Sequence, residues 1–130
     1  MIRKPILISV LLMLFPGWVF ALGLGNIELN SSLNEPLDAR INLIGASVSE
    51  LDSLKLALAS PAAFQRAGVA RPYSLTQLRF RLMQPENKPA YIHISTRQAV
   101  KEPFLDFLLE VNWSTGRMFR EYTVLVDPPV

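Results

Sequence analysis

The chain has 130 residues, half of them hydrophobic, with 13 Lys and Arg against 11 Asp and Glu, one His and no Cys. That length fits one domain; the missing Cys excludes disulfides, iron–sulfur centres, Cys-based zinc sites and a lipid-bearing Cys, and a lone His excludes a multi-histidine metal cluster. The formal charge of +2 comes from Arg3 and Lys4, because residues 22–130 hold 11 basic and 11 acidic side chains, which leaves no electrostatic case for nucleic acid.

Residues 1–21 have the build of a secretory signal. Arg3 and Lys4 form a positive start, Ile6 to Phe15 is apolar apart from Ser9, Pro16 and Gly17 break the helix, and Val19-Phe20-Ala21 places small residues for cleavage before Leu22. The rival is an uncleaved anchor, since no charge occurs between Pro5 and Ile27. Pro16-Gly17 just ahead of the cleavage pattern favours removal of the leader and a protein of residues 22–130 outside the cytoplasm. Gly23 and Gly25 then read as slack after the cut.

Beyond the leader the hydrophobic period is two. Residues 26–30 form a short strand with Ile27 and Leu29 on one face. Leu37, Ala39, Ile41 and Leu43 alternate with Asp38, Arg40 and Asn42, so one face is dry and the other wet. Ser47 and Glu50 make a capping-box pattern. Leu51, Leu54 and Leu58 would lie on one helical face, while Leu54, Leu56 and Leu58 fit a strand after a short helical turn equally well, and the turn-then-strand reading is preferred. Ser60, Pro61 and Gly68 are an N-cap, a first-turn proline and a C-terminal glycine, which predicts a helix of about two turns. Residues 78–83 predict a strand with Leu78, Phe80 and Leu82 inward, Pro85 to Pro89 a turn, and residues 90–96 a strand with Ile92 and Ile94 inward.

A hairpin ends the chain. Leu105, Phe107, Leu109, Val111 and Trp113 form its inward set; Phe104, Asp106, Leu108, Glu110 and Asn112 form its outward set. Ser114-Thr115-Gly116 turns the chain, with Gly116 expected at positive φ. The preferred register places Trp113 opposite Met118, Leu109 opposite Tyr122 and Phe107 opposite Val124, at the cost of setting Glu110 against Glu121. Pro128-Pro129 closes the strand and opens a linker. About seven short strands with one inserted helix predict an all-β, immunoglobulin-like antiparallel sandwich.

Chemistry is sparse. His93 has Ser95 on its strand face, but no nucleophile-elbow glycines surround that serine; it reads as a solvated surface residue. Asp106 and Glu110 share a face about 13 Å apart, too far for paired glycosidase carboxylates. Asn30-Ser31-Ser32 and Asn112-Trp113-Ser114 match a glycosylation pattern by chance. Trp113 reads as core rather than as a sugar-stacking platform. No catalytic residue, metal ligand, cofactor site or small-molecule substrate emerges.

The hairpin also carries a resemblance. Glu102-Pro103-Phe104-Leu105-Asp106-Phe107-Leu108-Leu109-Glu110-Val111-Asn112-Trp113, then Gly116-Arg117 and the run from Arg120-Glu121-Tyr122 to Asp127-Pro128-Pro129, resembles the N-terminal periplasmic domain of FimV/HubP-type proteins. The similarity extends through Ala21-Leu22-Gly23-Leu24-Gly25, Leu33-Asn34-Glu35-Pro36-Leu37-Asp38-Ala39 and Leu58-Ala59-Ser60-Pro61 with Phe64 and Ala67-Gly68. It implies a part in type IV pilus assembly, twitching motility or organisation of the cell pole in a Gram-negative bacterium. Such proteins continue into a linker, a peptidoglycan-binding LysM domain, a membrane span and an acidic cytoplasmic part; this sequence stops at Val130, so those properties are not carried over. The expectation is a non-catalytic domain that binds a protein of the cell envelope, with Arg97, Asp106, Glu110, Asn112 and Arg120 as candidate contacts. The alternative is a peptidoglycan-binding carbohydrate module.

Overall fold

The computed structural model describes residues 22–128, so the expected leader lies outside the described residues. Seven strands form two antiparallel sheets. Strands β1 (Gly23–Leu29), β2 (Pro36–Ile44), β4 (Arg79–Met83) and β5 (Tyr91–Ala99) make sheet A in the order β1-β2-β5-β4; β3 (Lys55–Leu58), β6 (Phe104–Trp113) and β7 (Gly116–Leu125) make sheet B in the order β3-β6-β7. Each strand buries one side. In β2 the alternate residues Leu37, Ala39, Ile41 and Leu43 are buried, as are Ile92 and Ile94 of β5 and Leu105, Phe107, Leu109 and Val111 of β6. These inner faces meet in one core, where the Phe107 ring of sheet B lies 6.0 Å from Phe80 of sheet A and 5.9 Å from Tyr122. The seven-strand sandwich matches the expected fold class.

Two α-helices occur where one was expected to persist. Helix α1 (Val48–Ser53) is held by the reciprocal Ser47–Glu50 capping box: the Glu50 amide donates to Ser47 Oγ and the Ser47 amide to Glu50 Oε1. It hands the chain to β3, as the turn-then-strand reading required. Helix α2 (Pro61–Ala67) starts with the Ala63 amide donating to Ser60 Oγ at 3.2 Å and stops at Gly68, whose φ of 72° suits a residue without Cβ. A 3-10 turn over Tyr73–Gln77 buries Leu75 alone and was not anticipated, because a single inward residue leaves no periodic trace.

Three expectations need correction. Gly23 and Gly25 are not slack but part of β1. Leu22 and Leu24 are buried, and a β-bulge sets Gly25 and Asn26 against the single residue Asn42, which returns Ile27 to the inward face opposite Ile41. The final hairpin is offset by two residues from the expected register: Trp113 pairs with Gly116, Val111 with Met118, Leu109 with Arg120 and Phe107 with Tyr122. That shorter connection moves Glu121 away from Glu110 and opposite Leu108, while preserving which face each residue occupies. Gly116 lacks the positive φ expected of it. It is needed for room: a Cβ there would lie 2.6 Å from Cζ2 of Trp113.

Candidate interaction surfaces

The outer face of sheet B gathers Asp106, Glu110 and Asn112 from β6, as expected. The Asn112 amide donates to Glu110 Oε2 at 2.9 Å, and Arg117 Nε donates to Asn112 Oδ1 at 2.7 Å. The two-residue offset brings Glu121 near Asp106. A hydrogen bond with Asp106, then the negative charge of Asp106 and slight desolvation, raise the Glu121 carboxyl above its ordinary pKa of 4.5. Exposed apolar groups share this face: Phe104 stands directly opposite Leu125, and Phe119 opposite Glu110. Leu108 was assigned outward yet is 5% exposed, so part of this face is covered. Its amide-ladder neighbour Ala59, which donates to the Leu108 carbonyl, is fully buried as well.

Arg120 does not belong to that surface. It pairs with the buried Leu109 and therefore points inward, where its guanidinium donates to the Leu24 carbonyl and lies 4.8 Å from the Tyr122 ring centroid. Tyr122 Oη donates to the Gly25 carbonyl at 2.9 Å. Both acceptors sit at the β1 bulge, where the ladder to β2 is interrupted and carbonyls need other donors. The pair thus joins the edge strand of sheet A to the edge strand of sheet B. Burial pushes the Tyr122 phenol up to about 12, against a smaller lowering by Arg120.

Arg97 lies on the other sheet, at the irregular end of β5, so it does not meet the β6 residues. The outer face of sheet A carries Asp38, Arg40, Arg79, Arg81 and His93. His93 Nε2 is 2.9 Å from Asp38 Oδ1, and no hydrogen bond joins it to Ser95 among the described residues. Arg40 is occupied by Glu28, by Asn42 and by the Tyr91 ring beneath it at 3.8 Å. Arg79, Arg81 and Arg97 differ: they are exposed, and among the described residues none has an ion-pair partner. Neither β4 nor β5 contains an acidic residue. Arg79 and Arg97 flank an open cleft of about 200 Å³ with Thr76, Gln77 and Gln98. The signal in the sequence is Arg79 and Arg81, outward residues of an acid-free strand, which the five candidate contacts do not include.

Trp113 is half-buried against the core and presses its indole on Gly116. Among the described residues no group of three or more His, Asp or Glu is placed to hold a metal ion, and no helix is long and apolar enough to cross a membrane. The sequence model of the FimV N-terminal domain, an Ig-like domain, matches residues 22–129. The chain belongs to this family. It is 47% identical over 116 residues to the motility hub protein FimV of Pseudomonas aeruginosa, in two strains. The match covers 88% of this chain but only 12% of those relatives' length. No solved structure matches. The FimV-type resemblance read from the hairpin therefore extends over the whole described sandwich.

Proposed function

We propose that this FimV-family sandwich is a non-catalytic protein-interaction domain that works in the periplasm as part of a motility apparatus, with type IV pilus assembly, twitching and cell-pole organisation as its settings. The observation that carries this is the 47% identity to a motility hub protein along nearly the full sandwich. Outer faces that expose charged side chains beside Phe104, Phe119 and Leu125 support a contact role. The partner is a protein of the cell envelope. Balanced charge over residues 22–130 gives no support to nucleic acid as the ligand.

Two measurements test it. In a twitching bacterium that carries this gene, in-frame removal of the codons for residues 22–128 is expected to shrink the twitching zone, and restoring them to recover it. An unchanged zone would reject the motility role. Osmotic-shock fractionation is expected to release the processed chain, and retention in the cytosol would reject the periplasmic placement.

A further inference from the structure

The two ends of the sandwich are finished differently. On the β1/β7 side, Arg120 and Tyr122 tie the edge strands together. On the other side, β3 and β4 approach without forming a ladder, and among the described residues no side-chain hydrogen bond joins them. β4 is paired only to β5, so its second row of backbone donors and acceptors has no strand partner.

That edge also has an unbalanced charge. Arg79 and Arg81 are two residues apart on β4 and share its outer face, so their Cα atoms are about 6.8 Å apart along the strand. Arg97 joins Arg79 at the cleft, whose other lining groups, Thr76, Gln77 and Gln98, both donate and accept hydrogen bonds. Guanidinium forks match carboxylates, and hydroxyl and amide groups match a peptide backbone. A lipid headgroup or free phosphate would use the arginines and the hydroxyl and amide donors but leave the free strand edge unmatched.

We propose that the free edge of β4 takes an extended acidic segment of a partner protein, added as a further strand, with carboxylates two residues apart reaching Arg79 and Arg81 and the end of the segment reaching Arg97. Main-chain hydrogen bonds supply the attachment and the arginines supply the selection. Arg97 thus acts at the β4–β5 cleft and not with the β6 residues. The inference rests on the protein-interaction reading only in taking the partner to be a polypeptide.

The test uses the protein obtained by expressing the full 130-residue chain and a fluorescent peptide alternating Glu with Val. Fluorescence anisotropy at low salt is expected to show binding that weakens at least tenfold in the Arg79→Gln/Arg81→Gln double variant and several-fold in Arg97→Gln. Arg117→Gln, on the opposite sheet, is expected to leave it unchanged. A peptide of the same composition with its glutamates consecutive is expected to bind at least fivefold more weakly. Equal binding of the two peptides, no loss in the double variant, or tighter capture by phosphatidylglycerol vesicles or inorganic phosphate than by the alternating peptide would overturn the proposal. So would a rise in apparent mass in place of peptide binding, which would point to a second copy of the chain. Binding in this assay does not depend on motility, so its failure is distinguishable from a failure of the twitching experiment.

Discussion

At the scale of single residues, two side chains of β7 connect chemistry to stability. The Tyr122 hydroxyl meets the Gly25 carbonyl at 2.9 Å within a site that is 4% exposed. Tyr122→Phe removes that bond and leaves a carbonyl without its donor, so it is expected to lower unfolding free energy by about 1–2 kcal/mol in urea titration. The same phenol has a folded pKa raised from 10.0 to about 12. The folded state therefore holds its proton where the unfolded state has lost it, and stability falls as pH climbs between those values. In Tyr122→Phe that alkaline loss is expected to be shallower. Glu121 works in the same direction at lower pH. Its carboxyl is raised above 4.5 by Asp106, so stability present below 4.5 declines as both groups ionise. Glu121→Gln is expected to flatten that decline and to raise the thermal midpoint at neutral pH relative to the parent; a lower midpoint would show that Asp106 is not repelling it.

At the scale of elements, the hairpin shows how much the sequence discloses. Alternation alone identified both strands and nearly every inward residue, because burial on one side of a pleat imposes a period of two. Register is different. Shifts by two residues keep every side chain on its own face, so the apolar pattern of β6 and β7 could not choose between the expected pairing and the observed one. The choice was made by the short turn at Ser114-Thr115 and the flat seat that Gly116 gives the Trp113 ring. Gly116→Ala is expected to displace the indole at a cost of about 1–3 kcal/mol, read as a lowered urea midpoint with a shift in indole emission. Caps at Ser47, Ser60 and Gly68 were legible because they are local hydrogen-bond chemistry. The bulge in β1 was not, since the Arg120 and Tyr122 donors that satisfy its carbonyls lie nearly a hundred residues away. Arg120 shares the inward parity of Met118, Tyr122 and Val124, but its charge reads as a surface signal until the Leu24 carbonyl that accepts from it is known. Asp106, Glu110 and Asn112 could be grouped because one strand presents them, whereas relating Arg97 to Arg79 required knowing that β5 pairs with β4.

At the scale of the whole molecule, a sandwich without Cys depends on what its two sheets exchange. Immunoglobulin-like domains often bridge the sheets with a disulfide; here Phe80, Phe107 and Tyr122 stack through the middle, and the β7 donors close one side. Phe107 is fully buried at the centre of that stack. Phe107→Ala is expected to cost about 3–5 kcal/mol, a large part of the 5–15 kcal/mol typical of a whole domain. The check is loss of near-ultraviolet dichroism with the far-ultraviolet β signal retained. Burial of Leu22, at 3% exposure, has a temporal corollary. Proteases need a pliant, reachable stretch of backbone on both sides of the bond they cut, and a residue lodged among core side chains denies them that. If the leader proposed from the sequence is removed before Leu22, that cut would have to come while the first strand is still loose, and a change that hastens closure of the sandwich would then be expected to leave more of the chain uncut.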